Sequence, residues 1–414
     1  MAINTELFAS LASNTDQAIV FSDSDESAVR DWLPTLIPGL DSVMLGGIPL
    51  SGRVTEIYGD PSIGKSTFVG QVMATAQHLG VIPVMFDVEG TTDNNRLKQL
   101  GVDPDFVIKI EPKRLKNDTI EPITIEDVFQ TIIDMSSENH SRDENQQLLF
   151  VWDSVAITQP RMVANQNVGE QSVGQQARAL SEGIRKVNAN LIGNNASLIA
   201  LNQSRDDIGG NPFLKQTVTV GGKAWQHEAS LRLYMSRGKK IEDSDKEEIG
   251  HNTYLKFVKS KIGDNGGHKA EGALLQKGGY DLDYNVYIEA LDADLIKGTQ
   301  WKSYTTTDGV EVKKRGKDWL PFLKKRRFAN VFQEGKEKDE AVLAAQVFQE
   351  LWQGLIKQNF PECYPPLFNL SVPLTEEAYP FIVGMKDYYI HIQESLQPMD
   401  QNTNYQLWKK AQEG

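Results

Sequence analysis

Residues Gly59 to Ser66 read GDPSIGKS, the spacing G-x-x-x-x-G-K-S. Residues of these types at this spacing wrap phosphate. Gly59 and Gly64 free the backbone so that N–H groups curl round phosphate oxygens, with Asp60, Pro61, Ser62 and Ile63 forming the turn between them. Lys65 sets a cation between the β- and γ-phosphates, and Ser66 offers a hydroxyl to Mg²⁺. Thr67 follows at the start of a helical segment whose positive N-terminal end faces the same anion. A glycine-rich turn can match this pattern by chance. This match, however, lies between a β-branched strand candidate, RVTEIY, and a helical pattern, STFVGQVMATAQHLG, as phosphate binding requires.

Two strand-end carboxylates could complete such a site. The apolar run LLFVWD ends in Asp153, a Walker-B-type acid placed to hold the Mg²⁺ shell. The run VIPVMFDVE ends in Glu89, which could orient and deprotonate a water for attack on a γ-phosphate. Either acid alone reads equally well as a solvated strand end; the phosphate loop upstream favours the functional reading.

The elements that must position these residues alternate. Apolar strand candidates separated by amphipathic helices, from RVTEIY to SLIALNQ, predict an α/β fold with a doubly wound, mostly parallel sheet. SLRLYMS, TYLKFVKSK and EGALLQK follow without intervening helices and predict an antiparallel extension. The polar, acidic residues 1–33 read as an N-terminal arm, 34–290 as the core, and 291–414 as a small C-terminal α+β domain. A short helix, TDNNRLKQLG, is expected with a threonine cap.

At 414 residues, 24% charged and 40% hydrophobic, the chain has the composition of a globular protein, and no apolar run reaches membrane-spanning length. The start carries no basic, apolar leader. Cys363 is the only cysteine, so no intrachain disulfide can form and a reducing compartment is expected. The six histidines are scattered without zinc-ligand spacing. A net charge of −13 argues naively against nucleic acid, yet residues 161–240 carry a local +6. KKRGKDWLPFLKKRR, Lys313 to Arg327, holds eight basic residues against one acidic. Either run alone is as easily a solvated face.

Six blocks make a more specific pattern: GLDSVMLGGIPLSGRVTEIYGDPSIGKSTFVGQVMATAQ, FDVEGTTDNNRLKQLGVDPD, VWDSVA, LNQSR, VGGKAWQHEASLRL and VKSKIG, in this order. Together they resemble the RecA family of homologous recombinases, with its bacterial and phage-encoded members, over roughly residues 33–310. The resemblance implies a RecA-like ATPase core using ATP and Mg²⁺. It implies a protein that forms helical filaments of itself on single-stranded DNA, pairs that strand with homologous duplex DNA and exchanges strands. It also implies a bacterial or phage-infected cytoplasm and no membrane.

The resemblance assigns roles residue by residue. Glu89 matches the catalytic base, and Asp93 lies in the nucleoside pocket. Gln203 matches a γ-phosphate sensor coupled to the DNA loop beyond it. Lys259 and Lys261 match a pair that reaches the neighbouring subunit's nucleotide; their spacing of two puts both on one strand face. Arg161–Gln171 and Ser204–Gly222 match two DNA-binding loops, bringing in Arg161, Ser204, Arg205, Gly221, Gly222 and the adjoining Lys223. Arg178 and Arg185, seven apart on one helix face, match backbone-binding arginines. Lys324, Lys325, Arg326 and Arg327 fall where the family's small domain receives duplex DNA, with Trp319 and Phe322 expected inside that domain.

The sequence departs from the family in three places. Arg96 stands where bacterial members set a tyrosine against the adenine, which implies an altered nucleotide preference. RDDIGG is acidic where the second loop is usually basic. The tail after about residue 330 has no match. Two other readings stay open at the level of sequence: a RecA-fold replicative helicase, and an accessory factor that holds ATP and DNA without turnover. Glu89 with Gln203 argues against the second, and the VKSK pair in place of an arginine finger argues against the first.

Overall fold

A computed structural model describes residues 32–359 apart from short internal stretches, the longest being 167–173 and 207–216. The expected N-terminal arm up to residue 31 and the tail from residue 360, with Cys363, lie outside the described residues.

The first strand of the core, β1 (Val54–Gly59), is buried at every position. It runs through the phosphate-loop sequence into α1 (Lys65–His78). Then come β2 (Ile82–Asp87), α2 (Asn94–Gln99), β3 (Ile108–Ile110), α3 (Ile125–His140) and β4 (Leu148–Asp153). The core continues with α4 (Gln175–Gly193), β5 (Ala196–Asp206), β6 (Thr217–Thr219) and α5 (Gly222–Glu228). After α5 the helices stop, and β7 (Leu231–Glu242), β8 (Glu248–Ser260), β9 (Lys269–Leu275) and β10 (Gly279–Tyr280) follow in succession.

These strands form one ten-stranded sheet in the order β10-β9-β8-β7-β1-β5-β4-β2-β3, with β6 paired to β5. Pairings from β7 across to β3 are parallel, and those from β7 out to β10 are antiparallel. The expected parallel sheet with an antiparallel extension is therefore present, and β7 joins the two halves.

Both faces are covered, which is why the strands are apolar throughout. On one face Val69, Val72 and Met73 of α1 meet Met85, Val151 and Leu201. On the other, Phe129 and Ile132 of α3 and Leu180, Ile184 and Val187 of α4 meet Phe86, Phe150 and Leu198. Helix α3 starts on a reciprocal cap between Thr124 and Asp127. Its partner α4 comes close because Gly183 has no side chain: a Cβ there would lie 2.0 Å from the Phe129 ring. The cap of α2 is Asp93, whose carboxylate accepts from the Asn95 N–H, rather than the expected threonine.

The boundary expected near residue 290 falls inside α6 (Leu282–Asp292). Beyond it lie a hairpin of β11 (Trp301–Thr305) and β12 (Glu311–Arg315), then α7 (Gly316–Lys324), a 3-10 turn (Lys325–Phe328) and α8 (Lys336–Asn359). One hydrophobic cluster runs from α1 through Val286 and Ala290 of α6 to Trp319, Phe322, Val347 and Leu351. Trp319 and Phe322 are core residues, as expected from sequence.

Candidate nucleotide site and its links to the loops

The phosphate loop is shaped by two left-handed residues, Ser62 (φ 60°) and Gly64 (φ 97°). Gly59 is required for a different reason. A Cβ at Gly59 would meet the Met235 carbonyl oxygen of β7 at 2.3 Å, so its role is close approach between strands. The Lys65 ammonium bends back over the loop and donates to the carbonyls of Gly59 (3.0 Å) and Asp60 (2.7 Å). Burial draws its pKa down, opposed by the Asp153 and Asp60 carboxylates.

At the start of α1 the Ser66 hydroxyl donates to Asp153 Oδ2 at 2.7 Å, across from the end of β4. A hydroxyl and a carboxylate side by side suit Mg²⁺, which takes few protein ligands and completes its shell with phosphate and water. Burial raises the Asp153 pKa against the Ser66 hydrogen bond, and the nearby Glu89 and Asp87 charges raise it further. A cation at this point would relieve that crowding.

Glu89 lies just past β2, which ends at Asp87, and it is exposed. Asp87 is a residue that sequence reasoning missed. It is buried, accepts from the Thr91 and Thr92 N–H groups (3.2 and 2.9 Å) and pairs with Lys109 (3.1 Å). Burial opposes its charge, but the Thr92, Lys109 and Thr91 bonds outweigh that and hold its carboxyl below the ordinary range. Asp87 thus fixes the turn that carries Glu89 and leads to α2. A cavity of ≈ 310 Å³ opens between Ser66 and Thr67 on one side and Asp93 and Arg96 on the other.

A buried polar network runs from this site to the second predicted loop. Glu56, on β1, pairs with Arg232 of β7 at 2.5 Å, both out of solvent. The Asn202 amide of β5 donates to Glu56 (2.8 Å) and to the Val220 carbonyl (2.9 Å). Arg232 also donates to Thr219 (3.1 Å) and lies 4.8 Å over the Tyr58 ring. Residues 204–206 and 217–219 are paired in antiparallel register, so β5 and β6 flank the stretch 207–216. Ser204, expected at DNA, donates instead to the Asp60 carboxylate of the phosphate loop at 2.5 Å. Gln203 sits opposite Gly59 across the β1–β5 ladder. Arg205 is in β5, and Gly221 (φ 110°) and Gly222 (φ 67°) make the left-handed turn into α5, where Lys223 is exposed. This network was invisible in the sequence because alternation gives the face of Glu56 or Asn202 but not its partner on a distant strand.

Other predicted residues are held differently from expectation. Arg161 pairs with Asp127 (2.5 Å), and its N–H donates to Glu126, so it is tied to the start of α3. Arg178 and Arg185 are exposed on α4, Arg178 beside Glu182 at 2.9 Å. Lys261 is exposed one residue past β8, outside the strand alternation that was to align it with Lys259. The Lys259 ammonium donates to the carbonyls of Gln226 (2.7 Å), His227 (2.5 Å) and Ala229 (2.8 Å), closing the end of α5. Burial, with the Lys261 and Arg232 cations, draws its pKa down to about 8 against the pull of the Glu228 and Glu56 carboxylates.

The C-terminal basic run divides in two. Lys324 pairs with Asp281 and Arg326 with the buried Asp283, each at 2.6 Å, and Lys325 pairs with Glu340 at 2.6 Å. Arg326 is itself buried over the Phe348 ring, so the expectation that it faces phosphate fails: it neutralises a core carboxylate. Arg327 lies in the same 3-10 turn. Lys313, Arg315 and Lys317 are the exposed members, with Arg315 stacked 5.2 Å over the exposed Trp301.

A strand-loop-helix that wraps phosphate, with a hydroxyl and carboxylate set for Mg²⁺ and a parallel sheet behind it, defines a P-loop nucleotide-binding protein. The RecA N-terminal domain model matches residues 17–278. Among relatives, Protein RecA of Nautilia profundicola is 31% identical over 73% of this chain and 81% of its own. Protein RecA of Helicobacter hepaticus is 33% identical over 66% and 74%, and that of Teredinibacter turnerae 32% over 75% and 84%. The chain belongs to the RecA family, the proteins of homologous recombination and DNA repair. Family membership implies a DNA-dependent ATPase that uses ATP and Mg²⁺ and works on DNA as an assembly. Among the described residues no helix is long and apolar enough to cross a membrane.

Proposed function

We propose that this chain assembles as a helical filament on single-stranded DNA, pairs it with homologous duplex and exchanges strands under the control of ATP hydrolysis. The setting is a bacterial or phage-infected cytoplasm. One observation carries the reading: the phosphate loop and its strand are bonded to both flanks of residues 207–216, through Ser204 to Asp60 and through Glu56, Asn202 and Arg232 to Thr219 and Val220. A displacement of the loop by a phosphate is therefore felt where the second DNA loop begins and ends.

In this reading the loop N–H groups and Lys65 hold the phosphates, with Lys65 giving up the Gly59 and Asp60 carbonyls to do so. Ser66 and Asp153 hold the metal, which when bound supplies positive charge to the phosphate oxygens. Asp87 keeps the Glu89 turn in place, and Glu89 takes the proton of the attacking water. Gln203, beside Gly59, senses the outer phosphate. Lys261, and Lys259 once drawn off the end of α5, place cations on the neighbouring subunit's nucleotide. Arg178, Arg185 and Lys223 bind the phosphates of the first strand regardless of sequence. The incoming duplex lands on Lys313, Arg315 and Lys317.

The test is strand exchange between a single strand and a labelled homologous duplex with ATP and Mg²⁺. Homology-dependent transfer of the labelled strand is expected. Duplex unwinding without pairing would assign a helicase instead, and DNA binding without either would assign an accessory factor.

A further inference from the structure

The cavity beside the phosphate loop holds a cation with no part in binding phosphate or metal. Arg96, half-buried on α2, donates to Thr67 Oγ1 (3.4 Å) and Gln99 Oε1 (3.3 Å), both long for hydrogen bonds. Among the described residues no carboxylate pairs with it, and much of the surrounding wall is apolar, with Met73, Leu97 and Leu100. Asp93 stands one turn before it at the same opening, with one oxygen committed to the α2 cap. A guanidinium in such a wall presents a fork of donors without an acceptor of matching strength.

Thr67 directly follows the metal-side Ser66, so a nucleotide whose phosphates lie on the loop would extend its base toward this fork. The two purines differ there. Guanine turns two acceptors, N7 and O6, to one edge, and an arginine meets both at once. Adenine turns one acceptor, N7, and one donor, the 6-amino group, so half of its edge faces the cation with the wrong polarity. Guanine also offers N1–H and the 2-amino group, and the uncommitted oxygen of Asp93 can accept from them.

We propose that Arg96 sets the base specificity of this site and that the site takes guanine nucleotides at least as well as adenine nucleotides. This rests on the reading of the phosphate loop as a nucleoside triphosphate site. Kinetic discrimination is the sharpest readout: kcat/KM for ATP, GTP and ITP in phosphate release stimulated by single-stranded DNA. For the wild type, GTP and ITP should match or exceed ATP, because inosine keeps the N7–O6 edge that Arg96 reads.

Arg96→Gln replaces the donor fork with one donor and one acceptor, the pattern that fits adenine. It should lower the GTP-to-ATP ratio by about 5- to 150-fold, and the ratio is insensitive to a general loss of activity or of folded protein. Arg96→Ala should lower it as well, but less than Arg96→Gln. A wild type that hydrolyses ATP but discriminates against GTP by more than about 100-fold would overturn the inference and leave the phosphate-loop reading intact. So would a ratio that Arg96→Gln leaves in place. A wild type that neither binds nor hydrolyses any of the three would remove both readings together.

Discussion

Individual side chains set the chemistry, and two of them make sharp predictions. Glu89 is exposed on a turn that Asp87 fixes, within electrostatic reach of Asp153. Glu89→Gln removes the proton acceptor while keeping the shape, so turnover should fall by about 100-fold or more with nucleotide-dependent DNA binding retained. Undiminished phosphate release in that variant would take Glu89 out of the mechanism. Lys259 titrates near pH 8 in the isolated chain. Its charged form is disfavoured on folding, so the fold gains stability as pH rises from about 8 toward the ordinary 10.5, while the cation itself is lost. DNA-stimulated turnover should therefore decline as pH rises through about 8 in the wild type. Lys259→Arg keeps its charge in this range and should abolish the decline. An identical alkaline limb in both proteins would assign it to another group.

Elements decide which of these residues meet. The parallel sheet, its antiparallel extension and the phosphate loop were legible in the sequence, because each is written in local alternation and in turn residues. What was not legible were cross-strand partners. VIPVMFDVE reads as one strand ending in Glu89, but the strand stops at Asp87, whose carboxylate is taken up by two N–H groups and Lys109. KKRR reads as a basic surface, but carboxylates at the start of α6 draw Lys324 and Arg326 inward. Glu56 and Arg232 are 176 residues apart, and only the adjacency of β1 and β7 pairs them. Removing one partner leaves the other charge buried, so Arg232→Ala should cost about 3–5 kcal/mol in urea unfolding. The same variant frees Thr219 and should uncouple nucleotide binding from DNA affinity in any fraction that remains folded. Wild-type stability in Arg232→Ala would show that the pair is not a structural link.

For the whole molecule, an acidic chain must concentrate its few basic surfaces where DNA passes. The exposed cluster of Lys313, Arg315 and Lys317 around Trp301 sits beside the core without joining its ion pairs. Replacing these three with Gln should weaken duplex capture and reduce the logarithmic salt slope by about one for each phosphate no longer neutralised. Single-strand-stimulated ATPase activity and thermal stability should be spared. Lys324→Gln with Arg326→Gln should instead lower stability, because Asp281 and Asp283 lose their partners. Equal effects of the two sets on duplex capture at matched stability would contradict this division. Above both surfaces stands the central claim that nucleotide and DNA are read together by one assembling chain. Electron microscopy of the protein with single-stranded DNA and a non-hydrolysable ATP analogue tests it most directly. Regular helical filaments that require both ligands are predicted; closed rings, or no assembly with both ligands bound, would contradict it.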